Sequence, residues 1–335
     1  MTSYLEMSAQ RPETRLLAMI SGLWMSRLVA FAVQEGVIAT LAEQPHTAAG
    51  LAHRLGFQPQ VTERLLEGLV HLGLALQAEG KYALTDDGVL LSPEADSGFA
   101  SMSRLWNGVF DGAWTELAGT ARTGKAGFEL HHGMPIFAKI GGDAELARLF
   151  DDAMRGLARL VAREVAQTLA PSGLPLLCDV GGGNGMLLSR ILAASPGTRG
   201  ILFDRADVVQ AAADLLDNPR IEAVGGDFFE GVPEAPAHIL SNIIHDWADA
   251  DARRILENVR AAQPRDGTLY LVEMMLGGAA EPLLARSTDL NMLMLTGGRE
   301  RREAEFAEIL GAAGFRITGV RPIAGLTCLL EARKA

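Results

Sequence analysis

Asp179-Val180-Gly181-Gly182-Gly183-Asn184-Gly185 follows the apolar run Leu174-Pro175-Leu176-Leu177-Cys178 and precedes Met186-Leu187-Leu188-Ser189-Arg190-Ile191-Leu192, which has helical spacing. Strand, acid-and-glycine loop and helix, in that order, open a parallel α/β sheet with its ligand end at the loop. Glycines let the backbone turn sharply and let a ligand come close, and the start of the helix offers free N–H groups. Such a loop suits a nucleotide, a dinucleotide or S-adenosylmethionine (SAM). The dinucleotide register Gly-x-Gly-x-x-Gly fails twice, because Met186 follows the pair Gly181 and Gly183, and Leu188 follows Gly183 and Gly185. A phosphate-gripping loop would end in Gly-Lys-Ser/Thr, which is missing here. Asp179 would repel a pyrophosphate, whereas it suits the cationic amino group of SAM's methionine part.

Strand-like and helical runs alternate beyond the loop: RGILFD, VVQAAADLL, IEAVGGD, HILSNIIH, DADARRILENVRAAQ and TLYLVEMML. This alternation predicts a mostly parallel sheet with helices on both faces. The end differs, since Phe315–Ile323 and Thr327–Ala332 read as two strands joined at Ala324-Gly325, an antiparallel hairpin that closes the sheet. Asp204 ends the second strand and can accept both ribose hydroxyls of SAM. Asp227 ends the third, where it can accept from the adenine amino group while Phe228 stacks near the ring. Acids at the ends of three successive strands fit a ligand at the sheet's carboxyl edge better than chance solvation does. The run HILSNIIH leads into His245, and an imidazole of ordinary pKa near 6.5 suits removal of a phenolic proton. Asp246 and Trp247 are expected to border the cofactor.

The 335 residues, 48% of them hydrophobic and 21% charged, support more than one core. A formal net charge of −11 argues against a nucleic-acid surface. Cys178 and Cys328 read as small buried hydrophobes. The longest apolar stretch, Leu16 to Leu41, is interrupted by Arg27, Gln34 and Glu35 and reads as a helix pair for a soluble interface, not a membrane span. No leader is read in MTSYLEMSAQRPETR, so a cytoplasmic protein is expected. Thr47 caps a helix that ends at Gly56, a second helix runs to Gly73, and two short strands follow around Ala78–Lys81. That is a winged-helix order. Its second helix sets Arg64 and His71 against Glu63 and Glu67, so packing and dimerisation fit it better than DNA binding. The expected organisation is a winged-helix-like dimerisation domain over 1–97, a helical connecting region over 98–170, and a Rossmann-like SAM domain over 171–335.

DVGGGNG, LFD, GGDFFEGVP and NIIHDWAD followed by ARRIL resemble, in order and spacing, the class I small-molecule O-methyltransferases related to plant caffeate and flavonoid enzymes and to bacterial polyketide and phenazine tailoring enzymes. GLWMSRLVAFAVQEGV, TAAGLAHRLG, YALTDDG, GFELHHG and LFDDAM extend the resemblance over nearly the whole chain. It implies His245 as general base with Glu273 and Glu300 orienting it. It implies SAM contacts at Asp179, Gly181, Gly183, Asp204, Asp227, Phe228, Asn242, Asp246 and Trp247. An aromatic acceptor, polyketide- or phenazine-like, would meet Trp106, Phe110, Met154, Asn291 and Met292. S-adenosylhomocysteine would be the product, no metal would be needed, and the N-terminal domain would make a homodimer. Ser241 stands where the family often has lysine, and the segment from Met292 to Gly297 is a residue shorter than in the plant enzymes. Relatives on this scaffold also methylate nitrogen, or have become hydroxylases or decarboxylases. His131 and His132 read equally well as acceptor contacts or as loop closure.

Overall fold

The computed structural model describes residues 11–213, 218–277, 281–282 and 284–335. Residues 1–10, and the end of the run VVQAAADLL, lie outside the described residues. The chain divides into two compact units, Met1–Asp111 with Glu145–Gly156, and Gly112–Ala144 with Leu157–Ala335.

The first unit contains α1 (Pro12–Gln34), α2 (Val37–Glu43), α3 (Ala48–Leu55), α4 (Pro59–His71), β1 (Ala75–Ala78), β2 (Lys81–Leu84), α5 (Asp86–Val89) and α6 (Phe99–Trp106). The apolar run expected to be a helix pair is broken at Gly36, whose φ of 78° no side chain adopts cheaply. Thr47 caps α3 by accepting the amide of Gly50 at 3.0 Å, and Gly56 ends that helix in the left-handed region. Glu79 and Gly80, both with positive φ, make the tight turn between β1 and β2. Ile38, Leu51, Leu66, Leu69 and Tyr82 are buried together. By contrast α1 leaves Leu16, Leu17, Ile20, Leu23 and Trp24 exposed.

The second unit opens with short helices, α7 (Asp111–Thr115), α8 (Leu117–Thr123), α9 (Gly127–His132) and α10 (Ile136–Gly141), and then takes up the later part of α11 (Ala144–Leu169). There follow β3 (Leu176–Val180), α12 (Met186–Ala194), β4 (Arg199–Asp204), α13 (Ala206–Ala213), β5 (Ile221–Gly225), β6 (Ala237–Ser241) and α14 (Asp249–Ala261). The unit ends with β7 (Thr268–Glu273), β8 (Met275–Leu276), α15 (Ala285–Leu295), β9 (Arg301–Arg302), α16 (Glu303–Ala312), β10 (Phe315–Ile323) and β11 (Thr327–Lys334). The seven-stranded sheet has the order β10-β11-β7-β6-β3-β4-β5. The strands from β7 across to β5 run parallel, while β10 and β11 form the expected antiparallel hairpin, turning at Ala324 and Gly325. Both faces of the sheet are covered. Leu177, Ile239 and Val272 pack on one side with Val165 and Leu188, and Cys178, Leu240 and Leu271 on the other with Ile255 and Phe306. That two-sided burial is why these strands read as continuous apolar runs. Both cysteines are free and buried.

Two runs end sooner than their apolar character suggests. HILSNIIH stops as a strand at Ser241, because Asn242 has φ 53° and turns the chain into a short 3₁₀ turn, Ile244–Asp246. TLYLVEMML breaks after Glu273, and its tail Met275–Leu276 leaves the sheet to pair with Arg301–Arg302.

Candidate active site

The chain leaves β3 for β4 and β5 on one side and returns through β6 and β7 on the other. The crevice of such a sheet lies at this reversal, beyond the carboxyl ends of β3 and β6. The glycine loop and His245 flank it.

The loop is tied to its neighbours on three sides. Gly181 donates its amide to the Phe203 carbonyl at 2.8 Å, and Gly183 donates to Asp204 Oδ2 at 2.9 Å. A Cβ on Gly181 would lie 2.4 Å from Ile243 Cδ1, and one on Gly182 would lie 2.5 Å from Leu202 Cδ1. At Gly183 a Cβ would meet nothing within 4 Å, so the backbone here faces open space. Asp179 is only 1% exposed, and among the described residues neither carboxylate oxygen has a well-formed hydrogen bond, the Leu188 amide alone easing its charge. Burial, reinforced by Asp204, raises its pKa to about 7. An uncompensated buried carboxylate is costly, and a cationic ammonium beside it would remove the cost. These residues fit the methionine end of SAM. Asp204 accepts from the amides of Gly183 and Arg205, and burial raises its pKa despite them. Asp227 is exposed and closes its own turn by accepting the Phe229 amide at 2.8 Å. Phe228, Phe229 and Trp247 meet edge to face, and Phe137 stacks on Trp247 at 6.0 Å between ring centres. Asn242, half-buried with its strained φ, ties β6 to β7 through its amide and the Val272 carbonyl.

His245 sits on the 3₁₀ turn with its Nδ1 2.8 Å from Glu300 Oε1 and 3.9 Å from Glu273 Oε2. A carboxylate at that distance fixes the proton on Nδ1 and leaves the lone pair on Nε2. Among the described residues none hydrogen-bonds Nε2; Asp246 Oδ1 stands 3.9 Å away. Glu273 Oε1 accepts the amides of Ile243 and Ile244 at 3.1 and 2.8 Å, so this acid holds the turn that carries the ring. Burial opposes charging of His245, but Asp246, Glu300 and Glu273 outweigh it and raise its pKa to about 10. Burial raises Glu273 to about 7 and Asp246 to about 6, with Glu300 adding to both and His245 opposing. The ligand atoms of His245, Glu273 and Glu300 lie within 4.8 Å of one another, a spacing that could admit a cation. The contact between Nδ1 and Oε1, 2.8 Å, is a hydrogen bond and is shorter than the roughly 3.3 Å between neighbouring ligands of a tetrahedral ion. This donor set suits a proton.

Asn291 and Met292 are half-buried on α15, where Trp114 Nε1 lies 3.4 Å from Asn291 Oδ1. The His131 ring packs on Gly112 and meets His132 edge to face, and His132 in turn lies 4.3 Å from Phe128. Trp106, Phe110 and Met154 belong to the first unit; Phe110 is buried there and Trp106 exposed. Reading the sequence missed Phe137, Asp289, which accepts the Glu300 amide at 2.9 Å, and the fully buried Arg301.

Comparison with known proteins covers both units. Residues 17–93 match the O-methyltransferase dimerisation domain, and residues 114–316 match the O-methyltransferase domain. A phenazine O-methyltransferase of Lysobacter antibioticus is 33% identical over 324 residues, covering 95% of each chain. A mitomycin biosynthesis 6-O-methyltransferase of Streptomyces lavendulae is 33% identical over 327 residues, covering 94% of this chain and 93% of its own. The crystal structure of human N-acetylserotonin methyltransferase in complex with SAM superposes with a TM-score of 0.88 at 29% identity, covering 98% of this chain and 99% of that one.

Proposed function

The chain belongs to the O-methyltransferase family and is a SAM-dependent enzyme of it, and on that premise we propose that His245 takes the proton from a hydroxyl of an aromatic small molecule. One observation carries this reading: Glu300 occupies Nδ1 of His245 at 2.8 Å, which leaves Nε2 as the basic nitrogen. SAM, when bound, supplies a methyl group already activated on sulfonium and leaves as S-adenosylhomocysteine. Asp179 would hold the amino group, Asp204 the ribose hydroxyls and Asp227 the adenine amino group. Gly181 and Gly183 would bring the backbone alongside, and Phe228, Asn242, Asp246 and Trp247 would border the cofactor. With the methyl group already activated, positioning and exclusion of water supply most of the acceleration. Deprotonation by His245 adds ~10²–10⁴-fold.

The acceptor is a flat aromatic secondary metabolite of polyketide or phenazine type, bordered by Asn291 and Met292. The exposed apolar face of α1, within the matched dimerisation domain, is the surface of a cytoplasmic homodimer. A panel of phenols and hydroxyphenazines with labelled SAM, read as methylated product and S-adenosylhomocysteine, identifies the acceptor. His245→Ala is expected to lose ~10²–10⁴-fold in turnover on that acceptor. Its SAM affinity by calorimetry stays near wild type. Turnover retained in this variant would refute base catalysis by His245.

A further inference from the structure

The segment Arg299-Glu300-Arg301 grips the His245 turn at more than the imidazole. Glu300 takes Nδ1, and the Arg299 amide donates to the His245 carbonyl at 2.8 Å. Arg301 donates through Nη1 to the Ile244 carbonyl at 2.9 Å and through Nη2 to the Trp247 carbonyl at 2.8 Å. It also donates to Asp249 Oδ1, from Nη2 at 2.7 Å and Nε at 3.1 Å, and through Nη1 to the Arg299 carbonyl at 3.5 Å. The guanidinium is 0% exposed, while Asp249 is 57% exposed, so the acid anchors the cation from the rim. Gly298 completes the contact, since a Cβ there would lie 2.0 Å from the His245 carbonyl oxygen.

We propose that Arg301 is a positioning residue for the reaction: it clamps the carbonyls on both sides of His245 and so holds the imidazole in line with Glu300. The inference rests on the reading of His245 as the base. A purely structural task, fastening the start of α14, would need only Asp249 as an acid in the helix's first turn. Two of the five bonds instead go to the carbonyls of Ile244 and Trp247, on either side of His245, and burying a guanidinium is costly unless each of its edges is used. Arginine suits the task because one rigid planar fork reaches two carbonyls and a carboxylate at once, which a lysine ammonium on a flexible stem does not.

The test compares wild type, Arg301→Lys and His245→Ala. Turnover is measured on an accepted phenol, SAM affinity by calorimetry, and His245 titration by histidine carbon NMR of the SAM-free enzyme, His245→Ala assigning the signal. Expected for Arg301→Lys is a fall of about tenfold or more in kcat, a His245 titration moved to lower pH as contact with Glu300 loosens, and SAM affinity within about threefold of wild type. A kcat within about threefold of wild type, an unmoved His245 titration, or an equal loss of SAM affinity overturns the inference. If Arg301→Lys does not fold, Asp249→Asn decides, with the same paired changes at smaller size supporting the clamp and their absence overturning it. Turnover surviving in His245→Ala overturns the base itself and the clamp with it. A dead His245→Ala beside an unaffected Arg301→Lys overturns the clamp alone.

Discussion

Replacing Glu300 with Gln keeps the shape of the side chain and its ability to accept from His245 Nδ1, but removes the charge. The contact is 2.8 Å long and Glu300 is buried, so the bond is charge-assisted and little screened. Such a bond is worth about 1.5–3 kcal/mol against about 0.5–1.5 for a neutral one. The imidazolium formed as His245 takes the proton therefore loses about 1–2 kcal/mol of support, or roughly 5- to 30-fold in kcat/KM for the acceptor. The pH profile carries the sign. The base proposed at His245 would act while neutral, and its pKa is raised to about 10 because Asp246, Glu300 and Glu273 outweigh burial. Activity should rise with pH well above the ordinary histidine range, and deleting one of the three acids should move the rising limb toward acid. The deficit of Glu300→Gln is then smallest at low pH and largest at high pH. Initial rates of methyl transfer from labelled SAM at saturating cofactor, from pH 6 to pH 10, measure both effects. A rising limb that stays put or moves alkaline, or a uniform loss with weakened SAM binding, would refute this account of the site.

Asp179→Asn should weaken SAM binding while stabilising the free enzyme at alkaline pH. The folded pKa of Asp179 is raised to about 7, so its contribution to stability is present at low pH and lost as pH rises through that value. An amide keeps it, by up to ~4 kcal/mol, and melting curves with and without SAM should show a gap of about half that size at pH 5.5 and its full size at pH 8.5. Gly181→Ala should be far more disruptive than Gly183→Ala. The first meets Ile243 at 2.4 Å, whereas the second meets no atom within 4 Å and pays only about 1–2 kcal/mol for its left-handed backbone. Thermal unfolding separates the two, and SAM affinity should respond in the Gly183 variant before stability does. Trp24→Asp places a charge on the exposed face of α1, where Trp24 is 72% exposed, and should shift the protein from dimer to monomer in sedimentation at micromolar concentration.

The alternation of strand and helix after residue 174, the closing hairpin and the caps at Thr47 and Gly56 were all legible, because each depends on residues adjacent in the chain. The acid-and-glycine loop was legible for the same reason: Asp179, the glycines and the failed dinucleotide register all lie within ten positions. His245 could be chosen because a strand-like run delivers it to the sheet's carboxyl edge. Its two acids were reached only through resemblance, since Glu273 and Glu300 are distant in sequence and nothing local distinguishes them from solvated carboxylates. Arg301 and Asp289 escaped altogether. An arginine in the charged run Arg299-Glu300-Arg301-Arg302 reads as surface, and only folding reveals that this one is buried among carbonyls.

The amino-acid sequence alone determined the order of elements, the two-faced burial of the sheet and the acid-and-glycine loop at the ends of its strands, because periodicity and turn chemistry act over short stretches. Only the tertiary structure decided which nitrogen of His245 meets Glu300, which carboxylates surround it and how its turn is held. Those outcomes depend on groups brought together from three separated segments at distances near 3 Å. At that range burial and charge set both the proton's place and its pKa, and no local pattern encodes them.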